Sequence, residues 1–96
     1  MLDEQRVAEI ARGIASANLT SEAVANVLSE SFTDSEGEDS IRITIVLNPE
    51  FPNRIKGEDA LNTLVGIRAS LRQAGEERFP LVEYATEEEL NESASA

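Results

Sequence analysis

The sequence predicts an α+β fold: a small two-layer domain in α-α-β-β-α-β order, with a two- to three-stranded mixed sheet covered by helices. Three observations lead there. Ile41–Leu47 alternates apolar and polar side chains and is rich in β-branched residues, the pattern of a half-buried strand. Residues 58–74 repeat apolar positions with the 3.6-residue period of an amphipathic helix. Phe79–Tyr84 reads as a further strand, and strand–helix–strand in this order is a βαβ unit with parallel strands and a right-handed crossover.

The elements follow in order. Asp3 can cap a first helix running to about Ala17, with Val7, Ile10, Ala11 and Ile14 on one stripe and Asn18 as a left-handed stop. Thr20 or Ser21 then caps a second, shorter helix to about Leu28, with Val24, Val27 and Leu28 on its inner side. Residues 29–34 read either as the end of that helix or as a short strand. Their hydroxyl side chains compete with helical hydrogen bonds and favour the strand. Gly37 supplies turn chemistry before Ile41–Leu47.

Asn48-Pro49 ends that strand, and residues 48–57, with two prolines, form an irregular loop. The helix Glu58–Ala74 places Leu61, Leu64, Val65, Ile67, Arg68 and Leu71 on its period. Acids lie at its positive end, arginines toward its negative end, and Gly75 serves as its stop. Pro80 restricts the last strand to an edge or a strand start, because proline has no N–H for a ladder. Thr86-Glu87-Glu88-Glu89 matches a capping box that opens one helical turn at Leu90, and 91–96 read as a frayed tail. The 96 residues make one domain, 1–90, with that tail.

Composition narrows the chemistry. The chain has 19 acidic and 8 basic residues, net −11, and neither cysteine nor histidine. Disulfide scaffolds, thiolate nucleophiles, cysteine or histidine zinc sites and histidine acid–base catalysis are excluded. No apolar run reaches the length of a membrane span, and Met1-Leu2-Asp3-Glu4 is unlike a secretory signal, so the reading is cytoplasmic with no membrane partner.

The acidic run 34–39 fails the calcium-loop test. Counted from Asp34, glycine falls at position 4 rather than 6, and Ile45 stands where the bidentate glutamate belongs. Glu76-Glu77 and Glu87-Glu88-Glu89 are paired carboxylates in helix ends and loops, where solvation explains them better than acid–base work. Lys56 is the only lysine, and no serine holds Ser-x-x-Lys spacing to it. Lys56-Gly57-Glu58-Asp59 lacks the second glycine and the order of a phosphate loop. The reading is no enzyme, no cofactor and no metal.

Charge is uneven along the chain. Residues 30–39 carry five acids and no base, and 76–96 carry seven acids and one base. Residues 40–75 carry three acids and five bases. Acidity on this scale repels nucleic-acid backbones and steers toward a basic protein. The expected function is a non-enzymatic protein-binding module of the inhibitor, antitoxin or adaptor type, with an acidic face formed by Glu30–Asp39 and Glu83–Glu92. The partner-binding candidates are Glu36, Glu38, Asp39, Glu87 and Glu88, together with Arg68 and Arg72. A homodimer remains open, since thin sheets pair across chains.

The alternative is a nucleic-acid accessory factor that uses Arg42, Arg54, Lys56, Arg68 and Arg72. Helix, hairpin, then Ala60-Leu61-Asn62 and Ile67-Arg68-Ala69-Ser70-Leu71-Arg72 followed by a strand resemble, in layout, the KH-like ribosome-binding factor domains over about residues 20–84. That resemblance implies a nucleic-acid or ribosome accessory role. This chain is acidic where those domains are basic, and it has no Gly-x-x-Gly loop, so no functional residue is carried over.

Overall fold

The computed structural model describes residues 2–19, 22–48 and 56–89. Its elements are α1 (Glu4–Leu19), β1 (Val24–Thr33), β2 (Asp39–Leu47), α2 (Gly57–Gln73) and β3 (Phe79–Thr86), followed by a helical turn at 87–89. The strands form one mixed sheet in the order β1-β2-β3. β1 and β2 are antiparallel, and β2 and β3 are parallel, with Ile41 opposite Pro80 and Leu47 opposite Thr86. The expected βαβ unit is therefore present, and Pro80 lies on an edge strand. The irregular part of the loop after Asn48 and the tail from 91 lie outside the described residues.

In place of the helix expected to Leu28, residues 22–23 form a turn and Val24–Leu28 are the first half of β1, which 29–33 complete; the expected caps Thr20 and Ser21 lie outside the described residues. The misleading signal has a physical origin. The ladder slips between Val24 and Asn26, so Val24 pairs with Leu47 while Val27 pairs with Ile45. This bulge turns two residues three apart toward the same core, reproducing a helical spacing inside a strand. Leu28, expected on the inner side, consequently points away from the core.

Side chains of β2 alternate between the two faces, although Ser40 and Val46 on the second face are buried as well. Ile41, Ile43 and Ile45 are fully buried in the core with Val7, Ala11 and Ile67. Both helices stand on that side of the sheet. Asp3 caps α1 as expected, its Oδ1 accepting from Arg6 N at 2.7 Å. Asn18 does not stop α1; it lies inside the helix, with Nδ2 donating to Ile14 O. The two helices pack tightly at Gly66, where a Cβ would lie 2.8 Å from Ile14 Cγ2.

α2 turns Thr63, Ile67 and Leu71 inward, and leaves Leu61 and Val65 on its outer side at 59% and 57% exposure. The helix ends as Gly75 enters the left-handed region (φ 94°). Gly75 N donates to Arg72 O and Glu76 N donates to Leu71 O, a paired closure of the last turn. Gly75→Ala is expected to cost about 1 kcal/mol, since a Cβ strains this conformation; urea denaturation with an unchanged m-value checks it. At the other end of β3, Glu89 N donates to Thr86 Oγ1 at 3.2 Å and Thr86 N reaches Glu89 Oε1 at 3.4 Å, the expected capping box.

Candidate functional site

Strand alternation sends a second set of side chains to the sheet face opposite the helices. Among the described residues no helix lies over this face. The pairing register arranges it in rows across β1, β2 and β3: Phe32, Ser40 and Phe79; then Glu30, Arg42 and Leu81; then Leu28, Thr44 and Glu83. Leu28, Phe79 and Leu81 are exposed at 44%, 55% and 38%. Phe79 and Leu81 lie side by side on β3, and Leu28 stands across the sheet on β1 with Arg42 and Thr44 between; exposed apolar side chains grouped on one face are a common mark of a binding surface.

Arg42 occupies the centre. Its guanidinium lies 5.0 Å from the Phe32 ring centroid, with Nη1 at 3.8 Å from Glu30 Oε1 and Nε at 3.1 Å from Glu83 Oε1. The Glu83 contact is an ion pair rather than an aligned hydrogen bond, because Nε lacks hydrogen-bond geometry to any acceptor among the described residues. All three charged side chains are substantially exposed, so each pair stabilises the fold by under about 1 kcal/mol. Their main effect is to hold Arg42 flat on the sheet. Ser40 is buried on this face, and its Oγ has no hydrogen-bond partner among the described residues.

The expected acidic face is divided between the two ends of the sheet. Glu36, Glu38 and Asp39 are exposed at the β1–β2 turn, where Asp34 Oδ1 accepts from the backbone of both Glu36 and Glu38. Glu87 and Glu88 follow β3 at the far end. The nine residues of β2 separate these ends by about 26 Å at strand rise. Arg68 lies at the turn end, 5.0 Å from the Phe79 ring centroid, and Arg72 is one helical turn further along α2. The structure thus groups Glu36, Glu38 and Asp39 with the Phe79 end of the sheet, and leaves Glu87 and Glu88 apart from them.

A buried ion pair fixes the Phe79 end, and the sequence reading missed it. Glu76 and Arg78 have side chains only 0% and 7% exposed, and meet at 2.6 Å. Arg78 also donates to Ser31 Oγ and Leu2 O, both at 2.6 Å, while Glu76 Oε1 accepts from Leu2 N at 3.1 Å. One pair thereby ties the start of α1, the edge strand β1 and the entry to β3. The Arg78 side chain holds the Glu76 carboxyl down to about 2, against the opposing effect of burial. Glu76 in turn pushes the Arg78 guanidinium up. Glu76-Glu77-Arg78 resembles a solvated surface run in sequence. The one local clue was Gly75, whose left-handed turn sends the next residue back toward the core.

On the helix side, Tyr84 OH donates to Ala60 O at 3.2 Å, and burial pushes its phenol up. Among the described residues no three acidic side chains converge as a metal site, and no helix is long and apolar enough to cross a membrane. The sheet face opposite the helices thus carries aromatic, aliphatic and ion-paired side chains side by side. No family model matches the chain, and no curated protein matches it in sequence.

Proposed function

We propose that the protein is a non-enzymatic binding module of the inhibitor, antitoxin or adaptor kind, which receives a basic protein on the sheet face opposite its helices. One observation carries this reading: Leu28, Phe79 and Leu81 stand exposed around an arginine that is already clamped by Glu30 and Glu83. Aromatic side chains and arginine are enriched in interface cores, and a charged rim sets orientation and on-rate. Here the rim is acidic, through Glu30 and Glu83 on the face and Glu36, Glu38 and Asp39 at its turn end. A partner with apolar anchors and flanking lysines or arginines matches both features.

The nucleic-acid reading needs its arginines free for phosphate. Arg42 lies between two carboxylates and Arg68 rests on Phe79, which weighs against it. It predicts RNA binding whose salt slope falls by about one on removal of Arg68 or Arg72.

Capture from a native lysate at low and high salt, with Leu81→Glu run beside the wild type, tests the protein-binding reading. The wild type is expected to retain a basic protein that high salt releases and that Leu81→Glu fails to retain. The variant adds a negative charge, so non-specific capture of basic proteins would increase rather than fall. Equal retention by both chains, or no retained protein at low salt, contradicts the reading.

A further inference from the structure

The outer stripe of α2 is a second unpartnered surface, separate from the rows of the sheet. Glu58, Leu61, Val65, Arg68 and Arg72 are spaced by three, four, three and four residues, and all five are exposed. This is the spacing of a heptad seam, in which such positions share one face of a helix. The seam runs beside the free edge of β3, because Arg68 reaches around that edge to the Phe79 ring on the uncovered face. Leu61 and Val65 are the two most exposed large apolar side chains among the described residues.

The order along this stripe is self-complementary. An acid stands at one end, two aliphatic residues follow, and two arginines stand at the other end. Turned end for end, the same stripe brings Glu58 opposite Arg72, Leu61 opposite Arg68 and Val65 opposite itself. A two-fold interface requires this property: each patch must satisfy its own image.

We infer that the chain forms a homodimer through an antiparallel α2–α2 seam along the β3 edge. Val65 lies on the two-fold axis, and Glu58 of each copy pairs with Arg72 of the other. The acidic surplus does not oppose the contact locally, since the stripe carries two arginines to one glutamate. The acids of the β1–β2 turn and of 87–89 lie elsewhere, and at physiological salt their field decays within about 8 Å. One helix face is a small interface, so the association is of the weak, micromolar kind. This inference is independent of the sheet-face reading, which a monomer would satisfy equally.

Sedimentation equilibrium of the full chain at about 100 µM tests it, a concentration at which a weak interface of this size is populated. The expected mass is twice that of the chain. Val65→Glu places two carboxylates against each other on the axis and is expected to give the monomer. Glu58→Arg alone turns both end contacts repulsive and is expected to weaken the dimer about tenfold. Glu58→Arg combined with Arg72→Glu restores the pairing with its sign inverted, and with it the wild-type affinity. Both changes are at exposed positions, so the helical circular dichroism is expected to stay unchanged. A monomeric wild type at this concentration, a Val65→Glu dimer, or a double variant no tighter than Glu58→Arg overturns the inference.

Discussion

Glu76→Gln is expected to destabilise the fold by about 3–5 kcal/mol, the usual cost of leaving one member of a buried ion pair without its partner. The Arg78 guanidinium would keep its bonds to Ser31 Oγ and Leu2 O but lose the carboxylate that neutralises it. Single domains are stable by only about 5–15 kcal/mol, so the loss is a large share of the total. Urea denaturation reads it as a lower midpoint at constant slope. Replacing both members by apolar residues is expected to recover only part, because Leu2 N and Arg78 N also donate to the Glu76 carboxylate. A loss below about 1 kcal/mol in Glu76→Gln would show that the pair is not buried in solution, since exposed pairs contribute no more than that.

The same pair sets an acid limit. The Glu76 carboxyl sits at about 2 in the folded chain against an ordinary value of 4.5. A depressed folded value means that the stabilisation is complete above the unfolded value and is lost as pH falls through the folded one. A loss on the order of 3 kcal/mol is therefore expected between about pH 4.5 and pH 2, with no matching change on the neutral side. Glu76→Gln is expected to flatten this part of the profile, and stability measured across pH in both chains checks it.

Ile43→Ala has the second large expected effect, about 3–4 kcal/mol. Ile43 is fully buried at the middle of the central strand, opposite Ser29 on one side and Val82 on the other. Arg42, one residue away, points to the opposite face, and Arg42→Ala is expected to cost under about 1 kcal/mol. Two adjacent residues with such different costs are the thermodynamic signature of a sheet with one covered face. Equal costs at the two positions would mean that both faces are packed.

Much of this fold was readable from local patterns, and the misreadings have physical causes. Strand β2, the crossover helix, β3 and the Thr86 capping box follow from alternation, period and cap chemistry within short windows. The bulge near Val24 disguised half of β1 as a helix, because it places Val24 and Val27 on one face. The apolar residues of α2 were read as one stripe but serve two. Ile67 and Leu71 face the core, while Leu61 and Val65 face outward, a division set by the position of α1 and the sheet. The candidate carboxylates were identified as surface groups, but their separation by the length of the sheet depends on strand direction. Phe32, Arg42, Glu83 and Leu81 become neighbours only through the register of three strands. The Glu76–Arg78 pair was hidden for a related reason: its other partners, Leu2 and Ser31, come from distant parts of the chain.

The absence of cysteine gives a direct test of the claim that the uncovered face receives the partner. A single cysteine at position 81, as Leu81→Cys, can be labelled with a thiol reagent in the free protein and in complex with the basic protein it captures. Rapid labelling is expected in the free chain, and strong protection in the complex. An unchanged labelling rate on binding would contradict it, because the partner would then lie elsewhere on the molecule.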